Sequence, residues 1–213
     1  SAASDVYKRQ LIECFKQHAG VKEILLSDVS YMQGMSGNGL TTEKGNENSW
    51  VDISVMAVPA NFFSFMNIPI ERGRLPQTEK DIVVDNVWQP IQKKDVFGMN
   101  LYSGNTDYTI CGISAPFQAD VYNRSSGYAF LPYDSSVYIG HCYIKSHPGQ
   151  QKEVARWIEK VYREMLPENI TYQAKTFLDD IYVSQALECN LKDIILFFAV
   201  ISIIITLLGV YSS

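Results

Sequence analysis

The most regular hydrophobic pattern in the chain lies at residues 151–166. Val154, Trp157, Ile158, Val161, Tyr162 and Met165 recur at helical spacing, and Glu153, Arg156, Glu159, Lys160 and Arg163 occupy the opposite face. That period predicts an amphipathic helix lying on a core, and Pro167 ends it. Leu11, Ile12, Phe15 and Ala19 share one helical face near the start, with Gly20 where a C-terminal cap belongs. Between these helices the period changes. Val51, Ile53, Val55 and Ala57 alternate with Asp52, Ser54 and Met56, which predicts a half-buried strand. Further strands are expected at 21–31, 81–85, 108–113, 128–131, 138–145 and 170–174, and short helices at 60–67 and 88–94. Residues 68–74 read as a turn leading outward. The polar, glycine-rich stretch 33–49 reads as a mobile loop or hairpin tip. Thr176 and Asp179 make a capping-box-like start for a last helix. The order of elements predicts an α+β body in which the two chain ends share one layer and the middle is inserted.

One segment does not alternate at all. Residues 194–211, IILFFAVISIIITLLGVY, are interrupted only by Ser202, Thr206 and Gly209, and nothing from Ile194 to Ser213 is charged. As a helix these residues would span about 27 Å, just short of a bilayer's hydrocarbon core of about 30 Å. A buried core helix would show a polar edge, and this segment has none. A truncated transmembrane helix is expected here. The opening residues, SAASDVYKR, carry neither the charged nor the apolar region of a signal peptide. Residues 1–9 receive no functional weight, and the sequence reads as an internal fragment.

Composition narrows the function. The chain has 213 residues, 18 basic and 23 acidic, for a formal charge of −5. A nucleic-acid binder needs the opposite surplus to displace counterions from phosphates. Cys14, Cys111, Cys142 and Cys189 are 97, 31 and 47 residues apart, which is no zinc-ligand spacing. Scattered thiols are expected, although an even count permits disulfides in an oxidising compartment. His141 and His147 share a face parity, but Cys142 points to the other face and no third ligand is evident. Residues 34–39, GMSGNG, fit neither a GxSxG nucleophile elbow nor a P-loop. Asp179 and Asp180 would point about 100° apart on a helix, so they cannot easily serve one substrate. Asn123-Arg124-Ser125 and Asn169-Ile170-Thr171 match the glycosylation sequon, a pattern common by chance. No catalytic, cofactor-binding or metal-binding residues are assigned, and no enzyme activity is expected.

Residues 58–74, VPANFFSFMNIPIERGR, do carry a pattern. Pro59, Phe62 and Phe63, the run 66–70, then Gly73 and Arg74 resemble the extracytoplasmic core domain of FtsX-like, MacB-type ABC transporter permeases. Residues 82–86, IVVDN, are similar to that family's "VVVNE" strand, 95–98, DVFG, stand at its turn, and 108–113, YTICGI, match a strand with Gly112 at the glycine. Asn86-Val87 lacks the usual acidic residue, and Phe97 and Cys111 are atypical. The resemblance covers about residues 11–211. It implies a porter-like α/β lobe from 1–74 and 138–190, an inserted, smaller, β-rich sabre-like lobe at 75–137, and the start of a transmembrane helix at 191–213. It also implies a bacterial inner-membrane permease with residues 1–190 in the periplasm. The expected partners are the membrane, a cytoplasmic ABC ATPase, a second permease copy and a periplasmic or outer-membrane protein. Its expected role is non-catalytic: coupling ATP-driven helix movement to export or to lipoprotein or peptide extrusion. Alternatives are a membrane-anchored regulator of cell-wall hydrolases and a membrane-tethered enzyme.

Overall fold

A computed structural model describes residues 2–28, 30–31, 39–88, 92, 94–117, 127–133, 140–165 and 176. The chain divides into two compact units, Ser1–Thr171 and Tyr172–Ser213. The expected strand at 170–174, the last helix apart from Thr176, and the apolar run 194–211 lie outside the described residues. Among the described residues no helix is long and apolar enough to cross a membrane.

Helix α1 (Ala2–Lys16) leads into strand β1 (Val21–Ser27). Strands β2 (Ser54–Val58), β3 (Ile70–Gly73), β4 (Asp81–Asp85), β5 (Asn100–Ser103), β6 (Thr106–Ser114), β7 (Tyr128–Pro132) and β8 (His141–Ser146) follow. A short helix, α2 (Phe62–Met66), separates β2 from β3, and the amphipathic helix α3 (Gln151–Met165) follows β8. The architecture is α+β with a mixed sheet.

β1 and β8 pair antiparallel as a two-stranded ribbon, joining the two ends of the first unit. The pleat gives the ribbon two different faces. Ile24, Cys142 and Ile144 pack with Leu11, Phe15, Val161, Trp157 and Met165 of α1 and α3. Leu25 and Tyr143 point the other way, into a cluster with Tyr31, Phe62 and Phe63. The periodic faces of both helices are thus the faces that pack.

The other six strands form one sheet in the order β2-β7-β4-β6-β3, with β5 alongside β6. β2 runs parallel to β7 and β4 parallel to β6, while the β4–β7, β3–β6 and β5–β6 pairs are antiparallel. Both faces are covered. Met56, Val58, Val83, Cys111 and Phe130 face α2 and the ribbon; Ile53, Val55, Ile82, Val84, Ile110 and Ala129 face Leu40, Trp88, Val96 and Leu101.

Three expectations change. β2 is not half-buried: Met56, placed on its polar side, is buried with Val58 because α2 closes over that face. Residues 70–73 are a strand rather than a turn, since β6 is long enough to pair with both β3 and β5 on one side. β5 was not expected, although the Gly104-Asn105 turn between alternating runs marks its hairpin. The stretch read as a loop or tip is hydrogen-bonded where described. Thr42 N–H donates to Ser49 O at 2.9 Å and Val51 N–H to Leu40 O at 2.9 Å, around a turn of 3-10 helix at Glu47–Ser49. β2 and β3, which precede residue 75, belong to the same sheet as the strands of 75–137.

Candidate functional site

Among the described residues, the candidates for chemistry do not converge. His18 Nδ1 accepts the Gly20 N–H at 2.9 Å and its ring lies 5.7 Å from Trp157, which makes it a turn and packing residue. His141, the first residue of β8, and His147, just past its end, are both exposed. Among the described residues no group of three His, Cys, Asp or Glu side chains is placed to hold a metal. Cys14, Cys111 and Cys142 are free thiols. Burial pushes Cys142 up to about 12 and raises Cys111, so neither is a thiolate at neutral pH. Of the segment 34–39 only Gly39 is described, beneath the exposed indole of Trp50. Asp179, Asp180, Cys189, and the sequons at 123–125 and 169–171 lie outside the described residues.

What the structure does bring together is the set of residues that carries the resemblance. Gly73 and Gly112 are directly opposed on β3 and β6. A Cβ on Gly73 would lie 2.3 Å from the Cys111 carbonyl, and one on Gly112 would lie 2.4 Å from the Arg74 carbonyl. Gly73 also sits at φ +81°, a region that favours glycine. The close approach lets Arg74 N–H donate to Cys111 O at 3.0 Å. It also aims the guanidinium at Asp81, the first residue of β4, with Nη1–Oδ2 at 2.7 Å and Nη2–Oδ1 at 3.2 Å. Asp81 accepts further bonds from the Gln77 and Thr78 amides at 2.9 and 3.1 Å. The Arg74 guanidinium first, and then the two amides, hold its carboxyl down at about 2, against the opposing effect of burial. The Gly-Arg signature is therefore a staple that fixes the edge of the sheet to its central strand.

The second group is α2. Phe62 is fully buried and meets Tyr31, Phe63, Phe117 and Phe130 at ring-centroid distances of 5.1 to 5.5 Å. Asn67 ends the helix in the left-handed region at φ 55°. Polar contacts flank these rings. Asn61 Nδ2 donates to Ile24 O at 2.9 Å and to Glu23 Oε1 at 3.2 Å, and Lys145 Nζ donates to Phe65 O at 2.6 Å. The aromatic helix joins the β1–β8 ribbon to the sheet.

Asp85, at the other end of β4, is fully buried. Its Oδ1 accepts the Trp88 N–H at 3.3 Å, while Oδ2 has no hydrogen-bond partner among the described residues. Burial raises its carboxyl pKa although the amides of Tyr128, Trp88, Val87 and Phe117 lie toward it. Gly127, at φ +110°, lets the chain pass there, since a Cβ would stand 2.7 Å from Asp85 Oδ1.

These arrangements organise a scaffold: a staple, an aromatic joint and a buried carboxylate. The fold is that of the periplasmic region of MacB and of two further solved domains. Three solved structures share it. The periplasmic region of MacB from Actinobacillus actinomycetemcomitans matches with a TM-score of 0.50 at 14% identity, over 73% of this chain and 71% of that one. A domain of a Porphyromonas gingivalis protein described as a permease matches at 0.52 and 11%, over 80% and 87%. The extracellular domain of the noncanonic ABC-type transporter YknZ from Gram-positive bacteria matches at 0.51 and 11%, over 73% and 82%. No family model and no curated protein matches the sequence.

Proposed function

We propose that this chain is the periplasmic part of an ABC transporter permease subunit and that its work is mechanical rather than catalytic. The fold shared with three transporter domains supports this reading most directly. Residues 1–190 stand in the periplasm and 191–213 begin a membrane helix of the bacterial inner membrane. One lobe is built from both chain ends and contains the ribbon, α1 and α3. The inserted lobe spans 75–137, and its sheet also takes up β2 and β3. A cytoplasmic ABC ATPase drives the membrane helices of two permease copies, and the periplasmic lobes pass that movement to exported material or to a periplasmic partner. The last helix and the apolar run have no Gly or Pro between 177 and 208, so they can form one rod.

Affinity purification of the full-length protein from detergent-solubilised membranes tests this reading. The expected result is co-purification of an ATP-hydrolysing subunit, with ATP changing hydrogen exchange in α1 and α3. Inserting Gly-Ser-Gly after Asn190 should remove that response while leaving ATP hydrolysis and the domain's melting curve intact. A protein that fractionates away from membranes, or carries no ATPase, would overturn the proposal.

A further inference from the structure

Glu23 and Lys145 are directly opposed on β1 and β8. An ordinary opposed Glu and Lys would pair with each other across the strands. Here both reach away to α2, and among the described residues no ion pair joins them. Glu23 Oε1 accepts from Asn61 Nδ2 at 3.2 Å at the start of the helix; Ser64 Oγ, also 3.2 Å from it, has the Asn61 carbonyl nearer, at 2.9 Å. Lys145 Nζ donates to the Phe65 carbonyl at 2.6 Å and to Asn67 Oδ1 at 3.3 Å, at its end. It also lies 5.4 Å from the Phe65 ring centroid. Leu25 and Tyr143 share their face of the ribbon and enter the aromatic cluster around Phe62 between the two grips.

The chemistry of the two ends is not interchangeable. The start of α2 offers the Asn61 side-chain amide as a donor. Its end offers a carbonyl and an amide oxygen as acceptors. An anion at 23 and a cation at 145 match them, and the reverse order places a carboxylate against the Phe65 carbonyl. The strands present opposite charges at one register position, and the five-residue helix spans the distance between them.

We infer that Glu23 and Lys145 form a clamp that holds α2 to the ribbon, making α2 the joint through which the chain-end layer and the six-stranded sheet move as one body. The clamp is a property of the fold; its use in passing movement to the sheet rests on the proposed transport reading.

Hydrogen exchange tests the clamp on the full 213-residue chain in detergent micelles. Lys145→Gln should lower protection at the Phe65, Asn67 and Ile68 amides about tenfold, and Lys145→Arg should largely keep it. The charge swap Glu23→Lys with Lys145→Glu decides the mechanism. A clamp predicts that the swap is at least as damaging as either single change; restored protection would mean a cross-strand ion pair and would overturn the inference. Unchanged exchange in Lys145→Gln would overturn it as well. In the full-length protein with its ATPase, ATP should alter exchange in α3 and in the sheet of the parent, but only in α3 of Lys145→Gln. A sheet that still responds in the variant refutes the joint. A parent in which neither layer responds refutes the transport reading and leaves the clamp to stand or fall on the swap.

Discussion

Strand β4 begins and ends in aspartate, and both carboxylates are buried, but their surroundings push them in opposite directions. Asp81 has a guanidinium and two amides, and its carboxyl is held at about 2. Asp85 has the Trp88 amide on one oxygen, no bond to the other among the described residues, and a raised pKa. The same side chain therefore stabilises the charged state at one end and resists it at the other. Asp81 lies where the sheet edge is stapled and Arg74 still reaches water. Asp85 lies under Trp88 and Gly127, where apolar packing has displaced water. A buried charge is tolerable when its own fold supplies the counter-charge; without one, desolvation dominates.

The largest expected disturbance of this contrast is at the Asp85 end. Gly127→Ala adds a Cβ 2.6 Å from Trp88 Cβ in a backbone region that disfavours side chains. It should cost roughly 3 kcal/mol in urea melts, from overpacking together with backbone strain. An alanine tolerated without loss would mean that this corner is loose.

Next in size is Asp81→Ala, which should cost about 2 kcal/mol at pH 7, a modest figure because Arg74 stays half in water. Its pH dependence has a definite sign. The folded pKa is below the unfolded value of about 3.9, so the contribution is complete above that value and disappears as pH falls through about 2. Melts of parent and Asp81→Asn should therefore diverge at pH 7 and converge near pH 2.

Asp85→Asn should change stability by less than about 1 kcal/mol at pH 7, since the Oδ1 bond to Trp88 survives. The raised folded pKa predicts the opposite slope. Between the unfolded pKa and the folded one, the folded parent keeps a proton that the unfolded chain releases, so parent stability falls as pH rises. The asparagine variant should gain on the parent across that window, as melts from pH 4 to 8 would show. A constant gap would mean that Asp85 does not titrate differently on folding.

The smallest effect is expected two residues before Arg74. Arg72 binds both oxygens of Asp95 at 2.9 Å and stacks 4.5 Å over Phe97, with half of each ionic side chain in solvent. Arg72→Ala should leave the urea midpoint unmoved within error at physiological salt. A large loss would make Arg72, rather than Arg74, the residue that staples this edge.

The helical periods at α1 and α3, the strand at 81–85 and the pattern around Phe62, Gly73 and Gly112 were legible because each is written in neighbouring residues. Periodicity fixes which face of a helix is apolar, and short-range spacing carried the resemblance to a transporter domain. The burial of both faces of β2 was not legible, because Met56 is covered by α2 only once the chain has folded. β3 reads locally as a turn for the same reason: its partner strand is about forty residues away. No local pattern could separate Asp81 from Asp85. Both are aspartates closing the same apolar run, and their difference comes from how the chain folds back on them: Arg74, seven residues before Asp81, reaches its carboxylate, Trp88 covers Asp85 from three residues on, and Gly127 is brought there from far along the chain. Nor could spacing show that Glu23 and Lys145 stand opposite one another, 122 positions apart, with α2 held between them. Local sequence determines which elements can form and which faces are apolar; strand order and the cover over each strand depend on long-range contacts, which exist only in the folded chain.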